Sequence, residues 1–271
     1  MRVGDLQIDG VLDGIARAVP SDAFRWGAAE GEPGKGLDDA DWAPHRQFLA
    51  GDGMLELALG AFLVRGGGDR VVLVDAGIGV FDRGVFTGGA LLDSLATLGV
   101  APADVSDVVF THLHFDHTGW ATVDGRPVFP GATYRCDERD WAHFVPSDER
   151  ATAKLAPVEA QLELWDADGP LVPGIDVRRA PGHTPGSTII VLSSGEERAM
   201  LLGDVVHCPV ELVDDEWATI GDVDPVLSRR TRTALAAELE GADVPVAAAH
   251  FPGLEFGRLL GGATGRTWFT P

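Results

Sequence analysis

The segment of this chain that most restricts its fold is a short run in which histidine is repeated. Residues 111–119 read Thr-His-Leu-His-Phe-Asp-His-Thr-Gly, so three imidazoles and one carboxylate lie between His112 and His117. Imidazole nitrogens and carboxylate oxygens are the ligands that zinc and similar cations prefer. His112 and His114 flank a single residue and can converge on one ion, whereas Asp116 and His117 follow too closely to share that ion comfortably. The spacing therefore predicts a metal site with a second metal beside the first.

This segment resembles the His-x-His-x-Asp-His motif of the metallo-β-lactamase-fold hydrolases, and four more fragments extend the resemblance in the family's order. Asp75, after the apolar run Val71–Val74, is similar to the family's early Asp, which supports the histidine loop. The others resemble the Gly-His-Thr-x-Gly turn, the bridging-Asp turn and the final histidine, and read Pro181-Gly182-His183-Thr184-Pro185-Gly186-Ser187, Leu202-Gly203-Asp204 and Ala249-His250-Phe251-Pro252. Five fragments in order make the resemblance specific over most of the chain.

Carried over residue by residue, the resemblance implies a divided set of metal ligands. One ion would be held by His112, His114 and His183, the other by Asp116, His117 and His250, and Asp204 would bridge both. Zinc is the expected metal, although manganese, iron or cobalt suits the same ligands. A lone histidine is more often an ordinary hydrogen-bonded residue, and this alternative stays open for His183, Asp204 and His250. For the first cluster it is remote, because buried imidazoles without a cation would repel one another or stay unpaired.

The chemistry implied by the resemblance is hydrolysis. In two-metal sites, a water held between the ions loses a proton readily and attacks the bond that the metals polarise. The resemblance therefore implies a metal-bridging hydroxide as nucleophile, with Asp116 both ligating and helping to orient it. No nucleophilic side chain is required for this reaction.

The fold implied by the resemblance is α/β, an αββα sandwich in which helices flank two mixed β-sheets. Periodicity alone predicts only a mixed α/β domain. Strands are predicted over Val3–Ile8, Leu55–Val64, Val71–Val74, 107–111, Ser187–Leu192, Ala199–Leu202 and Val244–Ala249. Helices are predicted over Leu91–Leu98, 137–144, 148–165 and Val226–Leu239.

Length and composition predict one domain over residues 1–271, with 45% hydrophobic residues for its core. Residues 20–48 show little periodicity, and we interpret them as a lid or as a dimer-contact arm, which would imply a homodimer. A disordered surface excursion is the alternative. Apolar runs are far shorter than the ~20 residues of a membrane helix, and the N-terminus has no signal-type apolar core. With only Cys136 and Cys208, the sequence predicts free thiols in a cytoplasmic protein.

The net charge of −21 excludes one class of partner. A protein that follows nucleic-acid phosphates needs a basic surface, so we expect no nucleic acid and, with no membrane segment, a small-molecule substrate. The acidity itself is typical of a solvated surface that keeps a protein in solution.

Within the family, the chain is most similar to the lactonase and methyl-parathion-hydrolase-like members. β-Lactamases generally lack an Asp at the position of Asp204, and flavodiiron proteins usually have Glu at the position of His114. The expected reaction is hydrolysis of a lactone or carboxylic ester, with promiscuous turnover of phosphotriesters. One alternative is a glyoxalase II-like thioester hydrolase, although that substrate calls for basic residues near the C-terminus, where only Arg258 and Arg266 occur. Another is a non-catalytic metal-binding regulatory protein.

Three residues outside the ligand set are candidates for the substrate site. His207 stands three residues after Asp204, where lactonases of acylated homoserine lactones commonly have Tyr, and this departure argues against that narrow substrate. His207 would donate a hydrogen bond to the substrate carbonyl or protonate a leaving group. Orienting a metal ligand from behind is the alternative role. Trp120 and Phe251, each close to a predicted ligand, are predicted to line an apolar pocket over the metals.

Overall fold

The core of the fold is a pair of β-sheets that lie face to face in the computed structural model. The structure describes residues 1–27, 34–66, 68–214, 216–219, 221–263 and 265–271. Between the sheets lies an apolar layer to which both contribute, with Phe62 and Val74 from one and Ile190 and Leu201 from the other. Burial of this layer fixes how the two sheets stack.

The larger sheet carries the strand that leads into the histidine segment. Its main path runs, in spatial order, through Leu162–Trp165, Thr133–Asp137, Asp107–Val109, Val71–Val74, Leu55–Arg65, Leu6–Ala18, Phe86–Gly88 and Phe81–Arg83, and Arg2–Val3 pairs with Leu6–Ala18. Asp107–Val109 is parallel to both of its neighbours, whereas Leu55–Arg65 is antiparallel to both of its own. The sheet is therefore mixed, as predicted.

The smaller sheet is also mixed. In spatial order its strands are Gly169–Val172, Ile175–Arg179, Thr188–Ser194, Glu197–Leu201 and Val246–Ala247. The first four are antiparallel, and Val246–Ala247 runs parallel to Glu197–Leu201. Three loops that leave this sheet carry His183, Asp204 and His250.

Helices cover the outer face of each sheet. Leu91–Thr97, Glu138–Phe144 and Glu149–Leu155 lie against the larger sheet, and Pro225–Leu239 lies against the smaller one. The strand Leu55–Arg65 is buried on both faces, because Ala61 and Leu63 point to the helices while Phe62 and Val64 point to the second sheet. This double burial explains why its sequence is continuously apolar rather than alternating. The αββα arrangement is confirmed.

Short elements complete the chain. Short α-helices span Pro20–Ala23, Asp39–Trp42, Phe115–Thr118 and Val210–Val213, and 3-10 turns span Ala43–Phe48, Pro102–Asp104, Ala156–Gln161 and Pro252–Leu254. Small sheets pair Thr122–Val123 with Arg126–Pro127, Arg258–Gly262 with Gly265–Phe269, and Phe24–Trp26 with both Lys35–Gly36 and Trp217–Thr219. In the described part of the chain, no helix combines the length and the apolar character needed to span a membrane.

Some element boundaries differ from the sequence predictions. The helix predicted over 148–165 ends at Leu155, because Pro157 lacks the N–H that an α-helix would need, and Leu162–Trp165 instead forms an edge strand. The predicted strand Val3–Ile8 is broken at Gly4, whose φ is +52°, and the second part continues to Ala18. The last predicted strand is reduced to Val246–Ala247.

The segment 20–48 has more regular structure than its composition predicts. Within its described part, Phe24 and Trp42 pack against Trp217, with ring centroids 6.0 and 4.6 Å away, in a cluster that also contains Cys208. Residues 28–33 lie outside the described residues. Its role as a lid or dimer contact stays a prediction, and its packing places it next to the segment that carries His207.

Candidate metal centre

Six of the eight histidines of this chain meet two aspartates at the rim where the two sheets adjoin. Each comes from a loop, or from the short helix Phe115–Thr118, that follows a strand, and such connections are where a rigid scaffold commonly presents functional side chains. The residues that converge are His112, His114, Asp116, His117, His183, Asp204, His207 and His250. The structure thus brings together all seven predicted ligands.

The first predicted ligand group is formed by three imidazoles around one point. The Nδ1 atom of His114 lies 3.1 Å from Nε2 of His112 and 2.9 Å from Nε2 of His183. His112 and His183 are almost completely buried, and His114 is partly exposed at the rim. Three ring nitrogens facing one another at these distances form a donor set typical of zinc.

The second predicted group lies directly beside the first. His117 Nε2 and His250 Nε2 are 3.3 Å apart, and His250 Nε2 lies 3.6 Å from a carboxylate oxygen of Asp116. The rings of His112 and His117 are adjacent, with centroids 4.0 Å apart. The two groups therefore share a boundary and would hold two neighbouring ions.

Asp204 stands at that boundary. Its Oδ2 atom lies 3.1–3.6 Å from the Nε2 atoms of five histidines, namely His112, His117, His183, His207 and His250. Its other oxygen, Oδ1, is buried and has no hydrogen-bond partner among the described residues. A buried carboxylate oxygen without a partner is costly, so this oxygen fits a carboxylate that bridges two cations.

The charge states of the histidines also suit a cation. Burial lowers the pKa of His112 well below its usual value and lowers that of His114 to about 3, so both rings are neutral and offer a lone pair. Burial acts in the same direction on His117, but the carboxylates of Asp204 and Asp75 outweigh it and raise the pKa well above its usual value. Protons therefore compete with a metal most strongly at His117.

Carboxylates orient two of the predicted ligand rings, those of His117 and His183, from the side away from the centre. The predicted residue Asp75 lies 2.9 Å from Nδ1 of His117 and accepts a hydrogen bond from the N–H of Thr111 at 2.8 Å. Asp75 has a φ of +65°, which is uncommon for a residue other than glycine and indicates that these contacts constrain its backbone. Asp222 plays the same part for His183, with 3.0 Å between Nδ1 and Oδ1.

Asp222 and Asp140 are site residues that sequence reasoning missed. Asp140 accepts hydrogen bonds from Leu113 N at 3.0 Å, Thr184 Oγ1 at 2.9 Å and Gly186 N at 2.6 Å. It therefore ties the first histidine loop to the loop of His183. Burial raises the pKa of Asp140 to about 6. No local motif marks either residue.

The side chain of His207 points from its loop toward the candidate metal centre. Its Nε2 atom is 3.3 Å from Oδ2 of Asp204, and its ring faces that of His183 at 4.8 Å. Burial lowers the pKa of His207, but the charges of Asp204 and Glu211 outweigh burial and raise it to about 10. The ring thus lies at the candidate metal centre, between the carboxylates of Asp204 and Glu211.

A cavity of about 520 Å³ opens beside the first ligand group, and His114 forms part of its wall. Trp120 also lines this cavity, and its indole N–H donates a hydrogen bond of 2.9 Å to the buried Asp13. Other walls are mainly apolar and include Ile78, Phe81, Leu113, Phe115 and Phe144.

Phe251, the other predicted pocket residue, is not among the residues that line this cavity. It is 1% exposed and packs edge-on against Trp268, because its side chain points into the core on the outer face of the smaller sheet.

Comparisons with known proteins agree with this geometry. Residues 61–250 match the sequence model of the metallo-β-lactamase superfamily. An N-acyl homoserine lactonase from Bacillus sp. is 24% identical over 148 residues, which are 48% of this chain and 57% of that protein. Human metallo-β-lactamase domain-containing protein 1 is 32% identical over 193 residues, 69% of this chain and 60% of that protein. The chain thus spans less than two thirds of the length of these curated relatives.

Solved structures share the fold over the full chain. One is AidC, described as a dizinc quorum-quenching lactonase in complex with a product, N-hexanoyl-L-homoserine. It superposes with a TM-score of 0.84 at 23% identity, covering 100% of this chain and 96% of that one. At this level of identity, the likeness establishes the fold alone.

Proposed function

The chain belongs to the metallo-β-lactamase superfamily, and on this basis we propose that it is a dinuclear metal-dependent hydrolase of lactones and carboxylic esters. The observation that carries the proposal is the position of Asp204, whose carboxylate lies between two groups of imidazole ligands. A structural zinc site is closed by four ligands and has no use for such a bridge. A carboxylate shared by two ions suits a catalytic pair instead, and this argues against a purely regulatory metal-binding role.

In this proposal, the ligands are divided as the resemblance implies. His112, His114 and His183 would hold one ion, Asp116, His117 and His250 the other, and Asp204 both, with zinc as the expected metal. When bound, such a pair supplies the Lewis acidity that activates water and polarises the scissile bond. Asp75 and Asp222 accept a hydrogen bond from Nδ1–H of His117 and His183. Nε2 of each ring therefore has no proton and presents its lone pair to the centre.

Asp116 and His207 are the proposed catalytic side chains besides the metals. The Asp116 carboxylate is 12% exposed, the most open of the aspartates at the centre, so it can accept a hydrogen bond from water and orient it. His207 faces the centre from the opposite side of Asp204 and would donate a hydrogen bond to oxygen as negative charge develops there.

The substrate class follows from the cavity beside His114. Its walls are mainly apolar, and Trp120 presents a ring edge that Asp13 holds in place. Such a cavity suits a neutral lactone or ester with an apolar substituent better than a polyanion. The Bacillus relative is named an N-acyl homoserine lactonase, and AidC holds the product N-hexanoyl-L-homoserine. A substrate of that general chemistry agrees with the cavity, although His207 stands where such lactonases commonly have Tyr.

A substrate panel tests this proposal. Purified protein with zinc would be assayed on aryl esters, acyl and aromatic lactones, a phosphotriester, a glutathione thioester and a β-lactam. We expect the highest kcat/KM on lactones or esters, a lower value on the phosphotriester and little turnover of the β-lactam. A clear preference for the glutathione thioester would move the function to the glyoxalase II-like alternative, and absence of all turnover with two ions bound would favour a regulatory protein.

Replacement of His207 by Ala should lower kcat by roughly ten- to a thousandfold, because one hydrogen bond to developing charge is lost. Zinc content should stay at the wild-type value, since the seven proposed ligands are intact. Steady-state kinetics and elemental analysis measure the two quantities. His143→Ala is a matched control, because that histidine is exposed on the helix Glu138–Phe144. Undiminished turnover by His207→Ala would remove His207 from the mechanism.

A further inference from the structure

A buried ion pair lies directly behind His207. Glu211 and Arg232 are both 0% exposed, and Oε1 of Glu211 lies 3.3 Å from Nη1 of Arg232. Glu211 belongs to the short helix Val210–Val213, and Arg232 to the long helix Pro225–Leu239. Because desolvation offsets most of the attraction, a pair buried this deeply is a weak source of stability. The presence of this pair is therefore better explained by the residues that it positions than by its contribution to stability.

Both partners bind the backbone that carries His207. Glu211 Oε2 accepts hydrogen bonds from the N–H of His207 at 2.6 Å and of Cys208 at 3.1 Å. Arg232 donates to the carbonyl of Val205 at 3.3 Å and to that of Trp217 at 2.9 Å. The residues immediately after Asp204 are thus fixed from the side opposite the metal centre.

The same carboxylate also faces the ring of His207. Oε2 of Glu211 lies 3.6 Å from Nδ1, while Nε2 on the other side of the ring lies 3.3 Å from Asp204. Nδ1 of His207 has no closer polar partner among the described residues. A carboxylate also lies behind the rings of His117 and His183, where Asp75 and Asp222 are closer, at 2.9 and 3.0 Å, and set the ring orientation.

We propose that Glu211 is the positioning residue of His207, and that Arg232 holds Glu211 in place for this task. The proposal rests on the proposed hydrolase function in one respect, namely that His207 takes part in turnover. Glu211 touches neither the predicted ligands nor the cavity, so it acts through His207. The competing explanation is that Glu211 only stabilises the turn at residues 207–211, in which case its loss would not depend on the presence of the His207 ring.

A double-mutant cycle separates these explanations. Glu211→Gln keeps the shape but has one acceptor oxygen instead of two, so it cannot accept from both Arg232 and the His207 backbone. The charge-assisted bond to Arg232 is the stronger of the two, so the His207 backbone is released. We expect kcat to fall about ten- to a hundredfold with KM within about threefold, as for a misplaced catalytic group. In the His207→Ala background the same change should cost less than about threefold, because the group that it positions is absent.

A crystal structure of Glu211→Gln provides a measurement that does not depend on enzymatic activity, namely the position of the His207 ring. We expect Nε2 of His207 to move beyond roughly 3.5 Å from Asp204 Oδ2, out of hydrogen-bond reach. If no compound is turned over by the wild-type protein, the proposed hydrolase function fails, and this distance alone decides the positioning role. Glu238→Gln is the matched control, since Glu238 forms an exposed ion pair with Arg178 and its change should affect neither quantity.

A second variant shows whether the loss of rate comes from misfolding. Glu211→Gln leaves Arg232 buried without its charged partner, so Glu211→Met/Arg232→Met removes both charges together, and with them the oxygen that binds the His207 backbone; it should restore cooperative unfolding while keeping the kinetic loss. Equal rate losses with and without the His207 ring would overturn the proposal, as would an unmoved ring with wild-type kcat. If both variants fail to unfold cooperatively, the pair is required for folding and the positioning role is rejected.

Discussion

Asp204→Asn should lower kcat/KM by about a thousandfold or more and reduce the bound zinc to well below two ions per chain. The carboxylate oxygen that faces five histidines would carry the negative charge that compensates the two proposed dications, and Asn is neutral with nearly the same shape. A thousandfold loss corresponds to about 4 kcal/mol of transition-state stabilisation, which is within the several kcal/mol that metal catalysis supplies. Kinetics on the best substrate and elemental analysis measure the two effects.

The control for this variant is Asp38→Asn. Asp38 caps the short helix Asp39–Trp42 at the protein surface, and Asn caps a helix about as well as Asp, so activity and metal content should both stay unchanged. A fully active Asp204→Asn protein with two ions bound would contradict the bridging role. A variant that keeps one ion and partial activity would point instead to a mononuclear hydrolase.

The convergence of the seven predicted ligands could be predicted from sequence because much of the signal is local. Four of them fall between His112 and His117, and the other three lie in short fragments with glycine or proline within two residues. The chain must turn sharply at these places, as at Gly182 and Gly203, whose φ values are +138° and +57°. A Cβ on Gly182 would lie 2.2 Å from the backbone of Ser228, so that position requires glycine.

The supporting residues could not be predicted, because each is a single acidic residue far along the chain from its partner. Asp222 lies 39 positions from His183, and Asp140 lies 27 positions from Leu113. The chain contains 42 acidic residues, so the sequence offers many equivalent candidates for each such role. Tertiary packing alone decides which of them is buried behind an imidazole.

The fold was predictable where burial determines the sequence pattern. Leu55–Arg65 is apolar throughout because it is covered on both faces, and Val71–Val74 has the predicted bounds. Leu162–Trp165 escaped prediction because it is an edge strand with exposed Glu163 and Leu164, whose composition also suits a helix. The short elements of segment 20–48 could not be predicted, because they depend on contact with Trp217, which is remote in sequence.

Removal of the metals should abolish hydrolysis and lower the midpoint of thermal unfolding by about 10 °C, because ions that bind only the folded state stabilise it. Dialysis against a chelator, followed by activity measurement and calorimetry, tests both effects, and added zinc should reverse them. After chelation, the clustered imidazoles and the Oδ1 atom of Asp204, which has no hydrogen-bond partner among the described residues, would lack the cations proposed for them. Full activity after chelation to well below one ion per chain would refute the metal-dependent mechanism.

Acidification should release the two ions in a definite order. Burial lowers the pKa of His112 and that of His114, which keeps those rings neutral as the pH falls, so their ion should be retained longer. At His117 burial is outweighed by Asp204 and Asp75, which raise the pKa, so a proton displaces its ion at a higher pH. Zinc per chain measured against pH should therefore fall in two steps, and His117→Ala should retain only the later one. A single step for both ions would contradict this order and show that the two groups bind as one unit.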